Sequence, residues 1–156
     1  MKKCRVGTLA AGAAVAAALL AAIWMVFAVV LTLCWHRDRL LLTNALASGY
    51  QSGAQAEYDG ASIPADRALL DYTYSVVMDP HTVAARRMRQ APAMAEDAMQ
   101  LHLPEAAVTF FPADGQGMLC IRFAGADGTA WCYTLHTQSG FDYLVRCFAN
   151  AQRQLP

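Results

Sequence analysis

The sequence predicts an α+β protein: one long N-terminal transmembrane helix continuing into short helices, then a C-terminal antiparallel β-meander of three to four strands. Three observations carry this. Residues Val6 to Trp35 form a run of thirty residues without a charge. Between Asp38 and Tyr58, apolar and small residues recur at spacings of three and four. After Pro104, segments rich in Val, Ile, Phe, Tyr, Trp and Thr alternate with turns that contain Gly and Asp.

The apolar run explains the composition of the chain. Of its 156 residues, 56% are hydrophobic and only 15% charged, against roughly 25% charged in soluble domains. About 20 apolar residues span the hydrocarbon of a bilayer, and thirty helical residues extend about 45 Å. A cleaved signal peptide is the competing reading, because Met1-Lys2-Lys3-Cys4-Arg5 is a short basic start. Signal cores run about 7–15 residues, however, and no small-x-small site follows the run at Trp35-His36-Arg37. Leu31-Thr32-Leu33-Cys34 also lacks the small residue that lipoprotein cleavage needs before the Cys. An uncleaved anchor is therefore expected.

Flanking cations set the expected orientation. Lys2, Lys3 and Arg5 precede the run, whereas Arg37 and Arg39 follow it with Asp38 between them. The N-terminus is expected in the cytoplasm and the C-terminal domain outside. From His36 onward there are nine Arg and twelve Asp plus Glu, which lacks the basic surface of a nucleic-acid binder. The expected organisation is a basic start (1–5), a transmembrane helix (6–35), a helical extension (36–58) and a small extracytoplasmic domain (59–156).

In the extension, Leu42, Leu46, Gly49, Gly53 and Ala56 lie on one helical face. Ala45, Gly49 and Gly53 make it a face of small residues, which lets another backbone approach closely. It would pack on the chain's own domain or on identical neighbours. Asp59-Gly60 ends the element, and Pro64 opens a helix over residues 65–78 that Asp79-Pro80 breaks. Further helices are expected over 81–90 and 93–101, separated by Pro92.

Strands are expected at 107–112, 118–124, 130–137 and 141–148, with turn signals between them. Leu119, Ile121 and Phe123 share one face, as do Trp131, Tyr133 and Leu135, and these faces should form the core. The last segment admits two readings. Ser139-Gly140-Phe141-Asp142 fits a capping box before a helix that buries Phe141, Leu144, Val145 and Phe148. Alternation of Phe141, Tyr143, Val145 and Cys147 favours a strand, which is the reading adopted.

Five cysteines occur without a C-x-x-C motif. A two-residue turn at Ser139-Gly140 would set Cys132 opposite Cys147, within reach of a disulfide. Cys120 would lie diagonal to Cys132, which makes Cys120–Cys132 the alternative pair; ordinary buried thiols are the plainer reading. His36, His81, His102 and His136 show no metal-ligand spacing and read as surface or capping residues. His136, Ser139 and Asp142 are close in sequence, but nothing marks an oxyanion hole. Arg86, Arg87 and Arg89 read as a solvated helix face paired with Glu96 or Asp97. Gly115-Gln116-Gly117 lacks the further Gly and helix of a phosphate loop. No catalytic residue, cofactor or metal is expected from these residues.

A short basic leader, a long N-terminal helix with its first half in the membrane, and antiparallel strands at the C-terminus resemble the layout of pilins and pseudopilins. The pilin-like minor subunits of tight-adherence pilus systems are the nearest in layout. Gly7-Thr8-Leu9 after Lys2, Lys3 and Arg5 is similar to a prepilin processing site, where cleavage follows a Gly. The fifth position after that Gly, a Glu in type IV pilins, is Gly12 here. The resemblance implies membrane lipid and pilus-like assembly proteins, or further copies of the chain, as partners. Without it, a single-pass protein whose outer domain binds a partner or ligand, as an accessory or sensor, is the alternative.

Overall fold

A computed structural model describes residues 3–88, 97–115, 117–138 and 140–154, with side chains from residue 12 onward. The chain divides into two compact units, Met1–Cys34 and Trp35–Pro156. Helix α1 (Lys3–Ser52) contributes to both. In the first unit, the large apolar side chains from Val15 to Leu33, the half-buried Leu31 apart, are between 51% and 73% exposed. The most apolar window of the helix has a mean hydropathy of 2.7, and none of it is buried. By length and composition, this one helix among the described residues can cross a membrane.

The second unit begins within α1 and continues as β1 (Gln55–Tyr58), β2 (Ala61–Pro64), α2 (Arg67–Met78), β3 (Val83–Met88), β4 (Met99–Leu103), β5 (Ala106–Pro112), β6 (Met118–Gly125), β7 (Ala130–His136) and α3 (Gly140–Arg153). The seven strands form one sheet in the order β2-β1-β4-β5-β6-β7-β3, and every pairing is antiparallel. The α+β class is as expected, but the sheet has seven strands rather than three to four. Residues 36–58 fall within the second compact unit.

Register explains where the core sits. Ala56, Leu101, Val108, Phe123 and Trp131 pair in succession across five strands, and Met99, Phe110, Ile121 and Tyr133 form a second row. All nine are buried. Side chains alternate across a strand, so both rows line one face of the sheet. Leu119 and Leu135 extend that face. The expected core faces of the 118–124 and 130–137 segments are thus the observed ones.

Four sequence expectations are corrected. The helical extension stops at Ser52: Gly53 has φ +87° and donates its N–H to the Gly49 carbonyl at 2.9 Å, closing the helix with a left-handed glycine. Ala56 therefore lies on a strand. Asp59 and Gly60 both have positive φ, 50° and 71°, and join β1 to β2 in a two-residue hairpin whose twist matches that of the strands. Residues 83–88, expected in a helix, form β3. Ala84, Arg86, Arg87 and Met88 favour helix locally, but pairing with β7 overrides that preference. Of the helix expected at 93–101, residues 93–96 lie outside the description, and Met99 onward is β4.

The fourth correction is the last segment, which is helix α3 and not a strand. Phe141, Leu144, Phe148 and Ala151 recur at three and four residues and are buried, while Asp142 and Arg146 face outward. The helical period buries the bulky residues and leaves the charges in water, which the two-residue period cannot do. Phe141 and Phe148 pack edge-on to Tyr58, with ring centroids 6.2 and 5.7 Å away. Helix α2 matches its expected range closely. Its cap is Asp66, which accepts the Leu69 N–H at 2.8 Å, while Pro64 ends β2.

The small-residue face is split between two roles. Ala45 and Gly49 are buried within the second unit. A methyl group on Gly49 would stand 2.7 Å from Leu103 Cδ2, whereas one on Gly53 would meet nothing within 4 Å. Gly49→Leu should therefore overpack the interface and lower stability by about 3 kcal/mol. Gly53→Ala should cost about 1 kcal/mol through its backbone alone. Denaturant unfolding of the detergent-solubilised protein checks both. An unchanged Gly49→Leu midpoint would show that this face does not serve internal packing.

Candidate functional site

The stripe of α1 that meets the sheet runs Trp35, Asp38, Leu42, Ala45, Leu46 and Gly49, all buried. Five of the six are apolar or small, and the sixth is a carboxylate with 0% exposure. A buried carboxylate persists only when paired and hydrogen-bonded. Asp38 Oδ2 accepts the Tyr133 hydroxyl at 2.8 Å and lies 3.5 Å from Arg87 Nη2. Asp38 Oδ1 accepts from Arg37 Nε at 3.1 Å and Nη2 at 2.9 Å. The Arg87 guanidinium also stands 5.7 Å from the centre of the Tyr133 ring. Register places Arg87 directly opposite Tyr133.

Aromatic rings pack beside Tyr133, the partner of this carboxylate. Trp35 meets Trp131 and Tyr133 edge-on at 6.2 and 5.2 Å, and Phe123 stacks on Trp131 at 5.0 Å. The indole N–H groups of Trp35 and Trp131 are buried without a hydrogen-bond partner. Rings and carboxylate together lock the helix to β6 and β7. Arg87 therefore does not belong to the solvated helix face the sequence suggested; Arg89 and Glu96, members of that expected set, lie outside the described residues. Asp38 was missed because it was read only as a charge flanking the anchor. Its position three residues after Trp35 and four before Leu42 is the signal that places it on the buried stripe.

The thiols separate by face. Cys147 lies on α3, and α3 packs against Tyr58 on the core face. Cys132 is one residue from Tyr133 and so lies on the opposite face. The sheet stands between them, and a Cys132–Cys147 disulfide is excluded. Burial pushes the Cys147 thiol up. Cys120 pairs with Thr134, one step diagonal to Cys132, as the alternative pairing required. Both are buried with Phe111 in a second apolar cluster, against which Met88, Ala98 and Ala113 pack. The two sulfurs are 3.6 Å apart as free thiols.

The remaining candidates do not converge. His102 lies 3.6 Å from Glu57 across β1 and β4, and His36 Nδ1 lies 2.9 Å from Arg39 Nη2. Of the His136, Ser139 and Asp142 set, Ser139 is outside the described residues. Among the described residues, no three His, Cys, Asp or Glu side chains gather as metal ligands. Gly49, Tyr50, Arg67, Asp71 and Tyr74 line a shallow hollow of about 610 Å³. There the Tyr50 hydroxyl donates to Asp71 at 2.5 Å. Burial, and then the Asp71 carboxylate, push the Tyr50 phenol up to about 12.

Two predictions follow from these contacts. Asp38→Ala should cost about 3 kcal/mol by removing the carboxylate that pairs with the half-exposed Arg87 and accepts from Tyr133, and Tyr133→Phe about 1–2 kcal/mol. Unfolding of the single and double variants gives the coupling between them. The fold favours the neutral Tyr50 phenol, so its contribution is complete below pH 10 and is lost as pH rises towards about 12. The stability difference between wild type and Tyr50→Phe should shrink over that range, tracked by melting temperature against pH.

No known protein family, curated protein sequence or solved structure matches this chain.

Proposed function

We propose that the chain is a non-enzymatic, single-pass membrane protein whose extracytoplasmic α+β domain serves interaction or assembly, as a pilin-like subunit. One observation carries the reading: the change of environment along α1. From Val15 to Val30, large apolar side chains lie open; from Trp35 onward, a single stripe is buried against the sheet. An apolar surface of that size, left uncovered, marks a membrane or partner contact. Hydrocarbon satisfies the first stretch, because a helix satisfies its own backbone there.

Assembly draws support from the outer side of the same helix. Leu40 and Leu41 remain 48% and 38% exposed just beyond the anchor, where a neighbouring helix can reach them. The pilin-like layout of one long N-terminal helix packed on an antiparallel sheet supports the same reading. An accessory or sensor role is the second reading. The hollow beside Tyr50, Arg67 and Asp71 favours it, with donors and acceptors converging on an otherwise apolar wall.

The anchor predicts retention of the protein in membranes after an alkaline carbonate wash. Intact mass and N-terminal sequencing should then find a start at Met1, or at Thr8 after prepilin-type processing; a start beyond Trp35 would sink the reading. For assembly, Leu41→Cys placed in a variant without the native cysteines should crosslink copies in the membrane. A wholly monomeric product, together with a ligand that raises the domain's melting temperature, would favour the sensor.

A further inference from the structure

The sulfur cluster on the far face of the sheet has a geometry that buried thiols do not require. Met88 and Cys132 are direct partners between β3 and β7, and Cys120 comes from β6. The three sulfurs form a nearly equilateral triangle: Cys120 to Cys132 is 3.6 Å, Cys120 to Met88 3.6 Å, and Cys132 to Met88 4.0 Å. A point equidistant from all three lies about 2.2 Å from each, close to the roughly 2.3 Å of a metal–sulfur bond. We propose that Met88, Cys120 and Cys132 form a binding site for one soft monovalent cation, Cu(I), held by two thiolates and one thioether.

Ligand chemistry selects the ion. Thiolate and thioether donors suit Cu(I). Zinc prefers four ligands in a tetrahedron, and no additional His, Cys, Asp or Glu joins the two thiols among the described residues. Binding forms two copper–thiolate bonds and one copper–thioether contact. The two thiol protons leave to solvent, and copper stays Cu(I) throughout. The resulting centre carries one net negative charge. Arg122, directly opposite Cys132 in the β6–β7 register, supplies a compensating cation. Thr134 Oγ1 lies 3.5 Å from Met88 Sδ and helps to hold the thioether over the pair.

The register also weighs against a disulfide as the resting state. Diagonal neighbours on antiparallel strands stand about 7–8 Å apart, beyond the roughly 4.4–6.8 Å between α-carbons in relaxed disulfides. A metal needs no such approach, because it bridges sulfurs that remain well apart.

The test uses the full chain in detergent micelles, with Cys4, Cys34 and Cys147 replaced by Ser so that two thiols remain. Cu(I) is supplied anaerobically against a chromophoric chelator, with Ag(I) as a redox-inert check. One copper per chain is expected, and X-ray absorption should show three sulfur ligands. Met88→Leu, which conserves volume, should keep the fold, reduce the ligands to two sulfurs and weaken affinity at least tenfold. Cys120→Ser with Cys132→Ser should abolish binding. Affinity that survives the double variant, or three sulfurs that persist in Met88→Leu, would overturn the site. So would a Cys120–Cys132 disulfide found by peptide mapping of protein taken directly from membranes.

Discussion

The second unit depends on the seating of one helical stripe on one sheet face, and Asp38 fixes where that stripe sits. Apolar packing alone is permissive. A row of leucines and small residues finds comparable contacts if the helix shifts by one turn, about 5.4 Å. The carboxylate removes that freedom. In the observed position it meets the Tyr133 hydroxyl and the Arg87 guanidinium; one turn away it would stay buried with both of these sheet partners lost and only Arg37 of its own helix left. Gly49 against Leu103 pins the other end, since any side chain there collides. Two contacts three turns apart thus define the register that Leu42 and Leu46 fill.

That constraint propagates through the sheet. Tyr133 belongs to β7, and Arg87 comes from β3 beside it. One carboxylate on α1 therefore ties together the helix, the penultimate strand and the edge strand beside it. The edge position suits β3: Arg86 and Arg87, with a register shift between Ala84 and Arg86, give it the charges and irregularity that discourage pairing with another chain. Arg87 serves both ends, covering Tyr133 while neutralising Asp38. At the other edge, β2 is only four residues long and ends at Pro64, which blunts it in a different way.

Much of this was legible in the sequence where a single period dominated. The long apolar helix followed from thirty uncharged residues, and the inner faces of β6 and β7 followed from strict alternation at Leu119, Ile121, Phe123 and at Trp131, Tyr133, Leu135. Legibility failed where local preference and tertiary pairing disagree. Ala84 to Met88 looks helical and becomes an edge strand because β7 offers an open ladder. Gln55 to Tyr58 extended a helical stripe on paper, although Gly53 and the Asp59-Gly60 hairpin signal both stood in the sequence. In α3 both periods were present and both turn Asp142 and Arg146 outward; Leu144 and Phe148, which only the helical period buries together with Phe141, decide between them. Asp38 was hidden by its neighbours: between two arginines it reads as surface charge, and only the spacing to Trp35 and Leu42 shows it facing inward. The diagonal of Cys120 and Cys132 was visible, but Met88 was not, since its segment was assigned to a helix.

The two sheet faces divide the chemistry between them. On the inner face, the sole ionised group on the α1 stripe is matched by partners with fixed geometry, and aromatic rings take up the remaining volume. Such a face resists change, because each polar atom lost leaves another uncompensated. On the outer face, Cys120, Cys132 and Phe111 form a buried apolar cluster with the half-buried Met88 packed against it. Sulfur tolerates burial as a small apolar atom and still binds a soft cation when its proton leaves. Rigidity comes instead from the backbone: β3, β6 and β7 hold their sulfurs through ladder hydrogen bonds, so a ligand triangle persists without side-chain networks to orient it. The β3–β7 pairing that delivers Arg87 to Asp38 on one face delivers Met88 to the cysteines on the other. Because successive residues of a strand point to opposite faces, a change that loosens β3 should disturb both sites at once.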